Sequence, residues 1–332
     1  RKAATLPGSN LLETYSILTG GTGGVVTRNT IKIGTRGSTL ALLQTNMVLD
    51  KLQRCNPGIN FEIIKVRTYG DINSTGSLQG MGLGVFVKEI ERQLLDKTID
   101  MAVHSLKDVP TELPDGLQIS AVLERHDPRD IQTNVLGSSL DSLPSGFTLG
   151  SSSPRRISQV KSYYPELNIV PLRGNIETRL EKSSGVECNG AILAAAGLIR
   201  LNLGSRVTEY LSTNTFVPPP GQGVIAVETR TDDSNVATYL KPLEHYYTRT
   251  SITAERLFLQ KLGGGCQTPM GAYAEILGDT LKCTVYLGSP DGKMTFTESV
   301  VGPMGDPHAI AMKAHDLLIS EGAGELLQYT ED

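Results

Sequence analysis

The sequence predicts an α/β protein made of two similar α/β units and a smaller α+β third domain. Three observations lead there. The chain has 332 residues, which at about 150 residues per domain means two or three domains. Short apolar runs alternate with helix-period segments from Thr30 onward, and the same order restarts after a polar, proline-containing link at Glu124–Asp130. Beyond about residue 245 the style changes to a helix, a glycine run and alternating strands.

In the first unit Ile31–Gly34 reads as a strand. Ser38 then caps a helix with apolar positions Leu40, Leu43, Met47 and Val48, ending before Pro57. Phe61–Thr68 is a second strand, Phe86, Ile90 and Leu94 mark a helix by their i, i+4, i+8 spacing, and Ile99–His104 is a third strand. That order predicts a largely parallel sheet with helices on both faces. In the second unit Phe147–Gly150 runs into a helix starting at Ser151-Ser152-Ser153-Pro154. Asn168–Leu172 is a strand, Ile176–Lys182 a short helix and Ala191–Ala195 another strand. Pro218-Pro219-Pro220 precedes one more strand at Gly223–Glu228. The third domain is a helix (Ile252–Leu262), two or three strands between Gly271 and Val300, and a helix (His308–Ser320). The expected boundaries are a flexible extension at 1–29, a first domain of 30–124 plus 222–242, a second of 128–217 and a third of 245–332.

Composition removes whole classes of function. The 31 basic and 35 acidic side chains give a net charge of −4, which argues against a nucleic-acid backbone as the partner. With six Phe, eleven Tyr and no Trp, a base-stacking surface is not expected. The longest apolar stretches, such as Gly190–Leu198, fall far short of the ~20 residues that span a bilayer. Cys55, Cys188, Cys266 and Cys283 form no CxxC pair, and with five scattered histidines they make no zinc spacing, so no metal is expected. Four cysteines in this length are read as reduced thiols. The first thirty residues hold one acidic residue, Glu13, against Arg1, Lys2 and Arg28. Such a leader is compatible with a trimmed organelle transit segment or with a plain tail, and the expected compartment is the cytoplasm or the plastid stroma. Nothing demands more than a monomer.

Polar groups gather where strands run into helices: Gly34-Thr35-Arg36-Gly37-Ser38, His104-Ser105-Leu106-Lys107-Asp108, Gly150-Ser151-Ser152-Ser153-Pro154-Arg155-Arg156 and Leu172-Arg173-Gly174-Asn175. Hydroxyls and backbone N–H groups at helix starts, beside guanidiniums, favour anions. A single corner of this kind is a capped helix; four at equivalent places point to a cleft. Between Gly150 and Lys182 stand six basic residues and three acidic ones, so this segment is at +3 and the rest of the chain at −7. There is no GKS or GKT phosphate loop, and Gly80, Gly82 and Gly84 lack dinucleotide spacing, which favours a small polycarboxylate as ligand. In that setting Asp108 is either a cap or a group that moves protons and stabilises a cation. His104, on an apolar strand, reads as a satisfied core histidine. Cys266 follows Gly263-Gly264-Gly265 and is a candidate nucleophile or attachment point; Cys55, Cys188 and Cys283 read as filler.

Six segments stand in order: Arg36-Gly37-Ser38-x-Leu40-Ala41-Leu42, His104-Ser105-Leu106-Lys107-Asp108-Val109-Pro110, Ser152-Ser153-Pro154-Arg155-Arg156, Leu172-Arg173-Gly174-Asn175-Ile176-x-Thr178-Arg179, Pro220-Gly221-Gln222-Gly223 and Gly264-Gly265-Cys266-Gln267-x-Pro269. With them the chain resembles the porphobilinogen deaminases, or hydroxymethylbilane synthases, from about Ile31 into the C-terminal domain. The resemblance implies two periplasmic-binding-protein-like α/β domains around a cleft plus the α+β domain. It also implies condensation of four porphobilinogen units into hydroxymethylbilane with release of ammonia, in haem or chlorophyll biosynthesis. By motif position Cys266 would hold a dipyrromethane cofactor through a thioether. Asp108 would assist loss of the aminomethyl nitrogen and stabilise the azafulvene cation, with Lys107 beside it. Arg36, Ser38, Lys107, Asp108, Ser153, Arg155, Arg156, Arg173, Gly174 and Gln222 would hold the cofactor, and Arg36, Phe86, Ser152, Arg173, Arg179 and Arg200 the substrate. One departure stands out: Met81-Gly82-Leu83-Gly84 replaces the family's usual Gly-Gly-Lys-Gly, leaving a lid lysine in question. Two other readings of the same residues are a two-lobed anion-binding protein, which has no use for Cys266 or Asp108, and an inactive homologue.

Overall fold

Alternation of Ile31 and Ile33 with polar neighbours makes the first strand, and both isoleucines are buried. The structure, a computed structural model, describes residues 30–68, 87–263 and 268–328. In chain order the first lobe holds β1 (Thr30–Arg36), α1 (Thr39–Cys55), β2 (Asn60–Val66), α2 (Lys88–Leu95), β3 (Met101–Ser105) and β4 (Leu117–Val122). The second holds β5 (Asp130–Asn134), β6 (Thr148–Gly150), α3 (Pro154–Tyr163), β7 (Asn168–Val170), α4 (Ile176–Lys182), β8 (Gly190–Ala194), α5 (Ala195–Arg200) and β9 (Glu209–Tyr210). The chain then returns with β10 (Ile225–Arg230) and α6 (Ser234–Leu240). It ends in α7 (Tyr246–Lys261), β11 (Met270–Leu277), β12 (Thr280–Gly288), β13 (Thr295–Pro303), α8 (Pro307–Leu318) and α9 (Gly324–Gln328).

The two large sheets share one plan. Their strand orders are β2-β1-β3-β10-β4 and β7-β6-β8-β5-β9, and in each the first three strands run parallel. The fourth strand is antiparallel to both its neighbours, so each sheet is mixed where the sequence predicts a largely parallel one. The reason lies in the chain path. β5 enters the second lobe directly from β4, and β10 enters the first directly from the second, and each inserts against the direction of its neighbours. β4 and β5 fall outside the strands expected from sequence; on β5 the buried positions include polar residues, Gln132 being as buried as Ile131 and Thr133 nearly so, whereas β4 buries only Leu117, Ala121 and Val122. The third sheet, β11-β12-β13, is antiparallel and packs Ala272, Ala274, Cys283 and Val285 against Phe258 of α7 and Ile310 of α8.

Several elements differ from expectation for physical reasons. On α1 the buried residues are Gln44, Thr45, Val48 and Leu52, whereas Met47 is exposed. Leu40 instead faces the second lobe, 3.6 Å from where a Cβ on Gly197 would lie, and Gln44 Oε1 accepts a hydrogen bond from Ser105 Oγ at 3.0 Å. α7 starts six residues before the expected Ile252 because its first turns bury Thr248, Thr250 and Ser251, which carry no apolar period. Its cap is His245, whose side chain accepts from the Thr248 amide. Cys188 and Cys283 are buried thiols as expected of filler, but Cys55 ends α1 exposed. His104 is the satisfied core histidine expected, with Nε2 3.0 Å from Glu228 Oε2. Phe86, Cys266 and the Met81–Gly84 segment lie outside the described residues.

The chain passes between the lobes twice, and the two passages touch. His126 N donates to Gly223 O at 3.1 Å and Arg125 Nη1 to Gln222 O at 3.1 Å. Gly223 has φ +84, and a Cβ there would stand 2.7 Å from His126 O. A side chain is therefore excluded both by conformation and by space. Gly223→Ala is expected to lower the unfolding free energy by about 2–4 kcal/mol, read by urea denaturation. A change under ~0.5 kcal/mol would show that the crossing is looser than its geometry.

Candidate functional site

The carboxyl ends of β1, β3, β6 and β8 lie at the topological position where open α/β sheets place ligands. Each leads into a turn with its own local cause. After β1, Ser38 Oγ accepts from Ala41 N at 3.3 Å and starts α1. After β3 a single 3₁₀ turn, Leu106–Asp108, buries Leu106 and leaves Lys107 and Asp108 half-buried at the edge. After β6, Ser153 N donates to Ser151 Oγ at 3.3 Å, and Pro154 opens α3 in the first-turn position it favours. Ser152 Oγ donates to Leu172 O at 3.1 Å and accepts from Leu172 N at 3.0 Å, binding this corner to the segment after β7.

The turns after β3 and β6, with residues of α4, β8 and the returning passage, border a cavity of about 260 Å³ lined by Lys107, Asp108, Ser151, Ser152, Ser153, Arg155, Arg156, Arg179 and Gln222, with Leu172, Ile192 and Pro219 among the apolar contacts. Of the residues expected from sequence, Lys107, Asp108, Ser152, Ser153, Arg155, Arg156, Arg179 and Gln222 come together here. Arg36, Ser38, Arg173, Gly174 and Arg200 are not among the lining residues. Ser38 serves as the cap of α1. Gly174 takes φ +121 in the turn before α4, where a Cβ would meet the Thr178 side chain at 2.8 Å. Arg200 Nη2 donates to Gly223 O at 2.8 Å, so its fork reaches the lobe crossing. Arg173 remains close enough to bear on the charge of Arg179.

Asp130 is absent from the sequence-based candidates, yet it is the buried carboxylate under the cavity floor. Its Oδ1 accepts from Arg156 Nη2 at 2.7 Å, Arg156 Nε at 3.1 Å and Gln222 Nε2 at 2.9 Å, and its Oδ2 stands 2.8 Å from Arg155 Nη1. Burial alone would push this carboxyl up; the two guanidiniums overcome that and hold it well below the usual carboxylate range. No local pattern singles it out, because in sequence it only ends a polar link. Ser151, also missing from the candidates, sits on the cavity wall in the hydroxyl run already noted.

The charge of the site is lopsided. Among the described residues, Lys107, Arg155, Arg156 and Arg179 line it against a single carboxylate, Asp108. Burial pulls Lys107 down to about 8, opposed first by Asp108, while Arg156 adds to the fall. Arg179 is likewise lowered by burial and then by Arg156, and its buried Nε has no hydrogen-bond partner. Arg200, lowered to about 10 by burial, also has a buried Nε without a partner. Buried guanidinium donors left unmatched by the protein suit a ligand that brings acceptor oxygens. Among the described residues no cluster of His, Cys, Asp and Glu could hold a metal ion, and no helix is long and apolar enough to cross a membrane.

Comparison with known proteins agrees with this chemistry. Residues 31–238 match the family model described as porphobilinogen deaminase, dipyrromethane cofactor binding domain, and residues 249–320 match the porphobilinogen deaminase C-terminal domain. Curated porphobilinogen deaminases from Brevibacillus brevis (46% identical, 89% of this chain and 96% of that protein) and Carboxydothermus hydrogenoformans (42%, 89% and 96%) are similar. So is one from Nostoc sp. (43%, 90% and 94%). Among solved structures, the methionine binding protein MetQ is 14% identical with a TM-score of 0.42, covering 69% of this chain and 95% of that one, a likeness too slight to carry an argument. On the two family matches and the shared length of its relatives, the chain belongs to the porphobilinogen deaminase family.

Proposed function

We propose that the cavity beside Asp108 is where this transferase binds the carboxylates of its pyrroles and handles their protons. As a member of its family the enzyme condenses four porphobilinogen molecules head to tail into hydroxymethylbilane and releases ammonia, in tetrapyrrole biosynthesis. The observation that carries the reading of the site is the pairing of one lining carboxylate with four cations. With the aminomethyl nitrogen protonated, its carbon–nitrogen bond breaks, the electron pair leaves on nitrogen as neutral ammonia, and the positive charge passes to the carbon, shared with the pyrrole ring. A carboxylate already fixed at that place stabilises the developing charge, the role given to Asp108. Acetate and propionate groups fall to Lys107, Arg155, Arg156 and Arg179, with Ser152 and Ser153 as further donors.

The family's cofactor domain spans these residues. The unpartnered Nε of Arg179 and the excess of cations fit a group bearing several carboxylates. When bound, dipyrromethane supplies the nucleophilic pyrrole carbon to which substrate is joined. Cys266 is assigned as its thioether attachment from its place in the glycine run. Arg36, Ser38, Arg173, Gly174, Gln222, Arg200 and Phe86 keep their assignments as binding residues by motif position, with Arg36, Ser38, Arg173, Gly174 and Arg200 outside the cavity lining. Strand membership in the sheets supports domains at 30–124 with 222–242, at 128–217 and at 245–332. A monomer is proposed because nothing in the sequence demands more. Four cysteines read as reduced thiols support the cytoplasm or, with the acid-poor leader taken as a trimmed transit segment, the plastid stroma as the compartment.

Intact mass of the protein from a haem-producing host is expected to exceed the chain by two pyrrole units, and Cys266→Ser to lack that increment. An unmodified wild-type mass would remove the cofactor assignment. Asp108→Ala is expected to keep the increment and lose turnover by at least ~100-fold; full activity would take Asp108 out of the mechanism. Because Lys107 is pulled down to about 8, it carries charge below that pH and loses it above. KM for porphobilinogen should therefore rise about tenfold between pH 7 and 9, ~1.4 kcal/mol of lost charge-assisted binding. The rise should vanish in Lys107→Met, and a KM flat over that range in the wild type would refute the role.

A further inference from the structure

Gln222 carries an amide whose orientation is decided by its neighbours. Nε2 donates to Pro128 O at 2.8 Å and to Asp130 Oδ1 at 2.9 Å, both acceptors, so Oε1 must face the other way. There it meets Lys107 Nζ at 3.4 Å. Lys107 belongs to the first lobe and Asp130 opens the first strand of the second, and Gln222 lies on the return passage between them. A chain of hydrogen bonds thus runs from the cavity ammonium, through one amide, to a carboxylate fully buried beneath it. The same carboxylate is the shared counter-charge of Arg155 and Arg156. Arg155 Nη1 also reaches Gln159 Oε1 at 2.8 Å and Val217 O at 2.9 Å, and Arg156 Nη1 donates to Ile192 O at 3.1 Å.

We propose that Asp130 is a positioning residue for the reaction: through Gln222 it holds the Lys107 ammonium toward the cavity, and as the carboxylate that pairs with both Arg155 and Arg156 it keeps Lys107 charged beside them. The proposal rests on the reading of Lys107 as a substrate-binding cation. The groups that face Lys107 are Asp108 on its own turn, Arg155 and Arg156 on α3, Asp130 on β5 and the amide of Gln222. Asp108 and Asp130 favour its charged form, while burial and the two guanidiniums oppose it. Neutralising Asp130 removes one favourable charge and leaves two guanidiniums uncompensated within reach of the ammonium. Lys107 must then give up its proton at lower pH. A residue that merely stabilised the fold would change the fraction of active protein and leave that titration where it was.

The test is the titration of Lys107 in the holoenzyme with ¹³C-labelled lysine, its resonance assigned by its absence in Lys107→Met, alongside KM against pH. In Asp130→Asn the Lys107 midpoint is expected to fall by about one unit, with the rise in KM moving to lower pH by the same amount. The double variant D130N/R156Q removes the carboxylate with one of its guanidiniums, and should return the midpoint most of the way to the wild-type value whatever its turnover. It also guards against a single variant that fails to fold, since it leaves no unpaired pair of guanidiniums. An unchanged midpoint in Asp130→Asn, or one in the double variant as low as in the single, would overturn the proposal. A midpoint that moves while KM stays insensitive to it would uphold the coupling and refute instead the role of Lys107 in binding substrate.

Discussion

Two passages of one chain between two lobes must share a narrow space, half-buried along 125–129 and buried at 221–224, and the cavity is built on the way they are bonded there. Backbone groups in such a place need partners, because an orphaned donor or acceptor costs about as much as a whole hydrogen bond gains. The passages supply each other through His126 and Gly223, and the remaining demand is met by charge. Arg125 Nη2 lies 2.7 Å from Glu255 Oε1, and the same carboxylate accepts from Gly221 N and Ala274 N, each at 2.8 Å. One buried glutamate of α7 therefore ties the first passage, the second passage and the edge of the third sheet. Its neighbour Arg256 donates to Val109 O at 3.0 Å and Pro110 O at 2.6 Å, so the same helix also holds the segment that follows Asp108.

This explains why a third domain with its own core matters to a site lined by the other two. Burying a charge pays only when pairing and hydrogen bonds offset its desolvation, and both Glu255 and Asp130 meet that condition several times over. Arg179 and Arg200 do not, since each keeps a buried Nε unmatched within the protein. The contrast separates arginines whose buried donors the fold satisfies from two with a buried Nε the fold leaves unmatched, of which Arg179 lines the cavity. Arg155 and Arg156 belong partly to both groups: they line the cavity, yet they bond to Asp130, Gln159 and backbone carbonyls. Their contribution to a ligand is field as much as contact.

Much of the architecture was legible in the residues. Strands such as β3 and β8 announce themselves because both faces are covered and the run is apolar, over Met101–Val103 of β3 and all of β8. Ile90 and Leu94 mark α2 by helical spacing, and Ser38 and Pro154 mark helix starts. The strand-to-helix corners were legible as polar clusters, and Lys107, Asp108, Ser153, Arg155, Arg156 and Arg179 do meet at one cavity. Elements whose buried faces are polar escaped: β5 with Gln132 and Thr133, and the first turns of α7 with Thr248, Thr250 and Ser251. Periodicity detects transfer of apolar surface from water, and these segments are held by hydrogen bonds instead.

By itself, then, the sequence determined the α/β class, the repeat of two units with a different third, and the family, through motifs whose chemistry depends on local order. Tertiary structure alone decided that each sheet carries an antiparallel strand donated across the lobe crossing, and which arginines face a cavity. It also made Asp130 central. A carboxylate gains that part only from three side chains brought to it from α3 and the returning passage, 25 to 92 residues away in sequence, and no local pattern can carry a separation that folding alone closes.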